Sequence, residues 1–251
     1  MCQQMKNHPQ QPFGPLVPNK VPNRPWEIIS TDLITQLPES NGYNAICVIV
    51  DRLTKRAHFI PIDNWFSSKD MAQLLYDKVY PLHRLPLQII LDRGVQYSAE
   101  LFQEWCKILG IESTMSIVYY PQTDGQIKCV NQALKQYLRC YVDYNLSNWS
   151  DLLLSTEFAY NNQAHEEIKE SPLYLEYGRH PRAGPILVKE SSQRDLNDLM
   201  YKRQEALEQA KAALTLAAER MKWYYNKKVQ SVLFKVGDKV LLNLKDYQTT
   251  E

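Results

Sequence analysis

The chain has 251 residues, of which 44% are hydrophobic, and this is enough for one sizeable core with smaller attachments. No stretch has the character of a signal peptide or of a membrane span, and five scattered cysteines without a CxxC pair argue against secretion and against a zinc site built from this chain alone. A net charge of +1 conceals an acidic middle, residues 26–200, between two basic ends, which are either solvated faces or surfaces that hold a polyanion.

The first 25 residues contain six prolines, a density that blocks regular structure and predicts an extended linker. Three apolar segments follow, and they predict β-strands over residues 26–34, 43–51 and 57–62, with Asp32 near the end of the first. Because turn residues make up the short connection between the first two segments, we expect these strands to form an antiparallel hairpin.

Helices and strands then alternate along the chain. Ser68 predicts the start of a helix that runs to about Tyr80 with one apolar face, and residues 87–91 predict a short buried strand that ends at Asp92. The elements that follow are a helix over 98–109 that begins at Ser98 and stops at Gly110, a strand over 112–118, and helices over about 126–144 and 149–161.

This order of elements predicts an α/β fold, a mixed five-stranded sheet flanked by helices. Ligands of open α/β sheets bind beyond the carboxyl ends of the strands, so we expect functional residues there.

Residues 194–228 form a second unit. Apolar residues recur there at alternating intervals of three and four, from Leu207 to Tyr224, which predicts a long helix. Its apolar side packs either on the core of the same chain or against a second copy. Residues 234–244 alternate apolar and polar side chains around a Gly-Asp turn and predict a hairpin or the start of a small β domain.

Asp32 and Asp92 are the first candidates for chemistry, because both lie near the ends of strands predicted to be neighbours. Two carboxylates at such a position can share a hard divalent cation such as Mg²⁺, which prefers oxygen ligands. Spacing alone is weak support, since a chain with 28 acidic residues offers many such pairs and most are solvated.

The segments around these residues are more specific. They read RPWEIISTDLITQLP at 24–38, IILDRGVQYSAELFQEW at 89–105, YYPQTDGQIKCVNQALKQYLRCYV at 119–142, WSDLLLSTEFAYNNQAH at 149–165 and FKVGDKVLL at 234–242. In this order and spacing they resemble integrases of Gypsy-type LTR retrotransposons, with the retroviral integrases as more distant relatives. The resemblance covers nearly the whole chain.

The resemblance implies an RNase H-like catalytic core that transfers polynucleotide strands with two Mg²⁺ or Mn²⁺ ions held by a D,D-35-E triad. Its first two carboxylates map onto Asp32 and Asp92. The Glu of the third position is replaced by Lys128, and because 35 residues separate Asp92 from Lys128 the register is intact. Asp124, upstream in the same segment, is interpreted as structural and not as a replacement ligand.

A protonated lysine offers a positive charge and no lone pair, so Lys128 is expected to repel metal ions and to weaken or abolish catalysis. Further departures from the family pattern are Leu91, Tyr120, Ile127 and Cys129. They agree with a loss of activity.

The resemblance also implies that the helix carrying Lys128 faces DNA through Gln126 and Asn131, and Lys135 and Arg139 follow at helical spacing from Asn131. The simpler interpretation is a solvated helix face. The resemblance implies DNA as the partner, a homo-oligomer, RNA as a further candidate and action in the nucleus. The basic and aromatic residues at 220–228 suit phosphate contact with base stacking, or form a charged helix end.

The resemblance implies four parts: a proline-rich linker with the remnant of a zinc domain (1–25), an integrase catalytic core (26–188), a linking helix (189–230) and a truncated SH3-like β segment (231–251). Three functions follow as alternatives. They are a catalytically defective integrase-like protein that binds nucleic acid, an active metal-dependent polynucleotidyl transferase, and a decayed reading frame without a selected function. Salt-dependent DNA binding separates the first from the third.

Overall fold

The computed structural model describes residues 20–63, 65–91, 100–115, 125–144, 147–181 and 196–227. A five-stranded sheet lies at its centre, in the order β3-β2-β1-β4-β5. The strands are β1 (Ile28–Ile34), β2 (Ala45–Asp51), β3 (Ala57–Ile62), β4 (Gln88–Leu91) and β5 (Glu112–Met115). Strand β2 is antiparallel to both β1 and β3, whereas β4 and β5 run parallel to β1, so the predicted mixed sheet is confirmed.

A tight turn fixes the hairpin between β1 and β2. Asn41 and Gly42 both have positive φ angles, of 53° and 83°, and the backbone groups of Ser40 and Tyr43 exchange two hydrogen bonds of 2.8 and 3.0 Å. Asn-Gly is the sequence preferred for such turns because both residues tolerate the left-handed region. The hairpin places every residue of β2 in the interior, as expected for a strand covered on both faces.

The helices are α1 (Ser68–Leu74), α2 (Tyr80–His83), α3 (Glu100–Ile108), α4 (Gly125–Tyr141), α5 (Trp149–Asn162), α6 (Pro172–Tyr177) and α7 (Leu196–Asn226). The prediction of one helix from Ser68 to Tyr80 was wrong in two details. Ser67, not Ser68, caps α1 through a reciprocal capping box with Asp70, and a π-helical turn at Leu75–Val79 separates α1 from α2.

Alternation along the strands divides the core into two layers. On β2, Cys47 and Ile49 face the layer that contains α1 and α3, whereas Val48 and Val50 face the layer that contains α4 and α5. Phe102 anchors α3 in the first layer. The two helical layers therefore lie on opposite faces of the sheet.

The first half of α7 packs on its own chain. Leu207, Ala210 and Leu214 are buried against a small cluster that includes Leu53 and Leu175. The apolar pattern continues to Met221 and Tyr224, but these side chains are 48% and 65% exposed. Of the two interpretations of the pattern, packing within the chain accounts for the first half of α7 only.

A buried polar cluster joins the sheet to α2, α5 and α6. His58 Nε2 lies 2.8 Å from His83 Nε2, and the outer ring nitrogens contact carboxylates, His58 Nδ1 at 2.9 Å from Glu157 and His83 Nδ1 at 2.8 Å from Glu176. Trp26 stacks on His83 with ring centroids 3.6 Å apart. The cluster links residues that are far apart in the sequence.

Several predictions concern residues outside the described ranges: the amino-terminal linker up to residue 19, the cap at Ser98, the end of β5 at 116–118, Tyr120, Asp124, and the β segment from 231 onward. In the described part of the chain, no helix has the length and apolar character needed to cross a bilayer.

Candidate functional site

Asp32 lies on β1, two residues before the strand ends. It pairs across the hairpin with Val48 and, by the alternation of the strand, shares a face with Ile34. Both of these neighbours belong to the core layer that contains α4, so the Asp32 side chain is directed toward that helix. Asp32 itself is half-buried.

The register of the neighbouring strand agrees with the predicted pairing of the two aspartates. Thr31 and Leu91, the residues immediately before Asp32 and Asp92, are partners in the parallel ladder between β1 and β4. Asp92 itself lies outside the described residues, so its role as catalytic residue and metal ligand stays a prediction. Leu91, at the position where the resembled family has Ser, is fully buried in the core.

Helix α4 has one face in the core and one over the site. Ile127, Val130, Leu134 and Leu138 recur at helical spacing and pack against the sheet. Ile127 is therefore a core residue, which accounts for an apolar side chain there. Lys128, the next residue, is exposed on the adjacent face.

Asn131 joins α4 to Asp32. Its Nδ2 atom donates a hydrogen bond of 2.6 Å to Oδ2 of Asp32, while the backbone N–H of Leu33 donates to Oδ1 at 2.8 Å. The Asn131 side chain is 8% exposed, and its Oδ1 atom is buried with no hydrogen-bond partner among the described residues. The contact of Asn131 with DNA stays a prediction, and in the structure this residue holds Asp32.

An open cleft of about 500 Å³ lies between β1 and α4. The described residues that line it are all polar or charged: Asp32, Lys128, Asn131, Gln132, Lys135, Gln136 and Arg139. Three of the four residues predicted to face DNA therefore share one cleft with Asp32 and the substituted third position. The fourth, Gln126, lies in the first turn of α4, and its side chain is outside the described set.

Gln132 and Gln136 were missed by the sequence analysis, although a signal was present. Lys128, Gln132, Lys135 and Arg139 are separated by four, three and four residues, which is the spacing of a single helical stripe. With a rise of ~1.5 Å per residue, this stripe extends over about 16 Å.

The described lining of the cleft carries more positive than negative charge. Lys128, Lys135 and Arg139 contribute positive charge, and Asp32 is the one carboxylate among the lining residues that the structure describes. Burial, and to a smaller extent the negative charge of Asp32, raises the pKa of the Cys47 thiol. Cys47 therefore stays protonated and unreactive in the folded protein.

The described residues of the cleft supply too few oxygen ligands to hold a pair of divalent cations. Magnesium sites need several oxygen ligands, and two-metal sites for phosphoryl transfer are built around shared carboxylates. No group of three potential ligands occurs in the described ranges. Both carboxylate oxygens of Asp32 accept hydrogen bonds, and a lysine lines the same cleft.

Comparison with known proteins places these features in context. Residues 22–121 match the family described as Integrase core domain. The Tf2-3 and Tf2-4 transposon polyproteins of Schizosaccharomyces pombe (strain 972 / ATCC 24843) are each 30% identical to this chain over 243 residues, which make up 96% of the chain and 18% of each polyprotein. The chain thus spans less than a fifth of the length of these relatives.

A similar fold occurs in the simian T-cell lymphotropic virus intasome, solved by cryo-electron microscopy in complex with the PP2A regulatory subunit B56 gamma. A chain of that assembly aligns with a TM-score of 0.52 and 20% identity, over 76% of this chain and 67% of its own length. At this identity the likeness is one of fold, and it agrees with the mixed five-stranded sheet.

Proposed function

We propose that this chain, whose residues 22–121 match the Integrase core domain family, is a nucleic-acid-binding integrase core of the retroelement type that has lost strand-transfer chemistry. The observation that carries the proposal is the presence of Lys128 in the cleft that holds Asp32. DNA is the proposed partner and the nucleus the proposed place of action.

The chemical reason lies in what the third position contributes. In an integrase site with three carboxylates, divalent ions activate the attacking oxygen and stabilise the charge at phosphorus. A lysine in the third position brings a positive charge and no acceptor atom. It therefore opposes the binding of a metal ion and cannot activate the attacking group by coordination.

The cleft retains features suited to a polyanion. Lys135 and Arg139 are exposed, so they can reach phosphate groups in the solvent-open cleft. Positive side chains that neutralise phosphates release bound counterions, which supplies most of the affinity of sequence-independent DNA binding. Loss of chemistry and retention of binding are therefore compatible in this site.

The test compares the parent protein with Lys128→Glu in a Mn²⁺-dependent strand-transfer assay on a recessed-end DNA duplex. We expect no product from the parent and measurable product from the variant, because the substitution restores a carboxylate at the third position. Lys107→Glu is the matched control, since it makes the same change at an exposed position of α3, on the opposite face of the sheet.

Strand transfer by the parent protein would overturn the proposal, because another group would then complete the site. If Lys128→Glu and the parent are both inactive while both bind DNA, Lys128 is not the sole cause of the defect. Absence of salt-dependent DNA binding by the folded parent would favour a chain without a selected function.

A further inference from the structure

We propose that the cleft between β1 and α4 binds the phosphodiester backbone of DNA without a divalent cation, with Lys128 supplying positive charge at the position where an integrase core uses a metal-binding carboxylate. This inference rests on the proposed function and deepens it. It concerns how the substrate is held and is independent of whether any strand is transferred.

The cations of the cleft are arranged so that they can follow a DNA strand. Lys128, Lys135 and Arg139 lie on one stripe of α4 and line one cleft. The stripe is about 16 Å long, and a DNA strand advances ~3.4 Å per nucleotide along its axis. Its cations can therefore contact phosphates distributed over about five nucleotides of one strand.

Hydrogen bonds from the protein offset part of the negative charge of Asp32. The carboxylate of Asp32 would repel phosphate in this cleft unless its charge were offset. Here the amide of Asn131 and the backbone N–H of Leu33 each donate a hydrogen bond to one carboxylate oxygen, which offsets part of its charge. The protein itself therefore reduces the repulsion between Asp32 and a phosphate, without a metal ion.

The charges in the cleft favour a phosphate over a metal ion as its ligand. Within the described ranges, the lining supplies three cationic side chains and one carboxylate. A divalent cation meets repulsion from the cations and few oxygen ligands, whereas a phosphate meets attraction and several N–H donors. The described residues therefore favour the anion.

The experiment measures DNA affinity by fluorescence anisotropy, with the full chain and a labelled duplex, in EDTA and in magnesium chloride at matched ionic strength. We expect the parent Kd to agree within about twofold between the two conditions, since its binding depends on side-chain cations. Lys128→Gln should raise Kd by about tenfold at moderate salt and reduce the slope of log K against log salt by about 0.9.

Lys128→Glu adds a sharper outcome. This variant should bind DNA weakly in EDTA and recover affinity when magnesium is added, because the new carboxylate can then attract the ion together with Asp32. Arg139→Gln is a second variant at the far end of the stripe and should reduce the salt slope by a similar amount. Lys107→Gln is the control on the other face of the sheet and should leave both Kd and slope unchanged.

The outcomes separate this inference from the proposed function. Binding by the parent that requires magnesium overturns metal-independent binding but leaves a DNA-binding integrase core in place. Binding in EDTA that responds to Lys128→Gln no more than to Lys107→Gln shows that DNA lies elsewhere and also overturns the inference. Failure of the folded parent to bind in either condition overturns the proposed function itself.

Discussion

Asn131 donates a hydrogen bond of 2.6 Å to Asp32, and this contact ties helix α4 to strand β1 within the cleft. It fixes the side chain that is predicted to be the first carboxylate of the site. It also places Lys128, one helical turn before Asn131, over the same cleft. The orientation of α4 on the sheet is therefore coupled to the state of Asp32.

Replacing Asn131 with Asp should destabilise the fold near neutral pH. The change removes the amide donor and places two carboxylates at hydrogen-bond distance, which raises the pKa of the pair. The folded state then binds more protons than the unfolded state, so stability should fall as pH rises above the usual range of an aspartate, with a slope of at most about 1.4 kcal/mol per pH unit. Urea unfolding at several pH values measures the effect.

Gln132→Glu is the control for that substitution. It makes the same change from amide to carboxylate one residue along α4, at an exposed position, and should alter the free energy of unfolding by no more than about 0.5 kcal/mol. Equal effects of the two variants would show that the contact between Asn131 and Asp32 contributes nothing specific to stability.

Acid should destabilise the protein through the buried cluster of His83 and Glu176. Burial lowers the pKa of His83 below its usual 6.5. Burial acts to raise the pKa of Glu176, but the hydrogen bond from His83 and the charge of Arg56 outweigh it, so this pKa lies below 4.5. Both pKa values are lowered by folding, so the unfolded state takes up protons first as pH falls.

The expected result is full stability above pH 6.5, loss beginning as the pH falls below that value, and further loss below 4.5. Each group contributes a slope of at most about 1.4 kcal/mol per pH unit. In His83→Gln the loss between 6.5 and 4.5 should be smaller, whereas His180→Gln, at an exposed histidine, should keep the parent profile. Identical profiles for the parent and both variants would contradict the assignment to His83.

Asn161→Ala should weaken the attachment of α5 to the edge strand β3. The Asn161 side chain accepts a hydrogen bond of 2.8 Å from the Ala57 N–H and donates one of 2.8 Å to the Ala57 carbonyl. Both backbone groups are buried, and each costs ~1–3 kcal/mol when left unsatisfied, so we expect a loss of about 2–4 kcal/mol in the free energy of unfolding. Denaturant unfolding checks the total, and amide exchange at Ala57 checks the location.

The adjacent Asn162→Ala serves as its control, because Asn162 is half-buried and no described side-chain hydrogen bond holds it to β3. We expect its effect to be less than half that of Asn161→Ala. Comparable losses would mean that the destabilisation comes from helix α5 in general and not from the bridge to Ala57.

Thiol reagents should distinguish two pairs of cysteines. Burial raises the pKa of Cys106 to about 11 and that of Cys47 further, so neither forms the reactive thiolate in the folded protein. Cys129 and Cys140 are exposed on α4. Iodoacetamide followed by peptide mass spectrometry should modify the exposed pair in the native protein and the buried pair only after denaturation. Native labelling of Cys47 would show that the sheet opens readily.

Much of the fold was predictable from local sequence. The β-branched run of β2 and the Asn-Gly turn before it determined a buried strand and an antiparallel hairpin, because period-two alternation and turn chemistry depend on neighbouring residues. The extent of helix α4 was predicted from spacing for the same reason, whereas its core face was not predicted. The cap at Ser67 and the π-helical turn after α1 were missed, because both depend on hydrogen bonds that periodicity does not specify.

The sequence by itself determined the family resemblance, the order of the elements and the substitution at Lys128, since each can be read from residues in their chain order. The tertiary structure alone decided that Asn131 holds Asp32, that Lys128 shares their cleft, and that His58 meets His83 and Glu157. Asp32 and Asn131 are 99 positions apart. Such contacts are set by strand register and helix packing, which bring distant residues together in ways that no local pattern encodes.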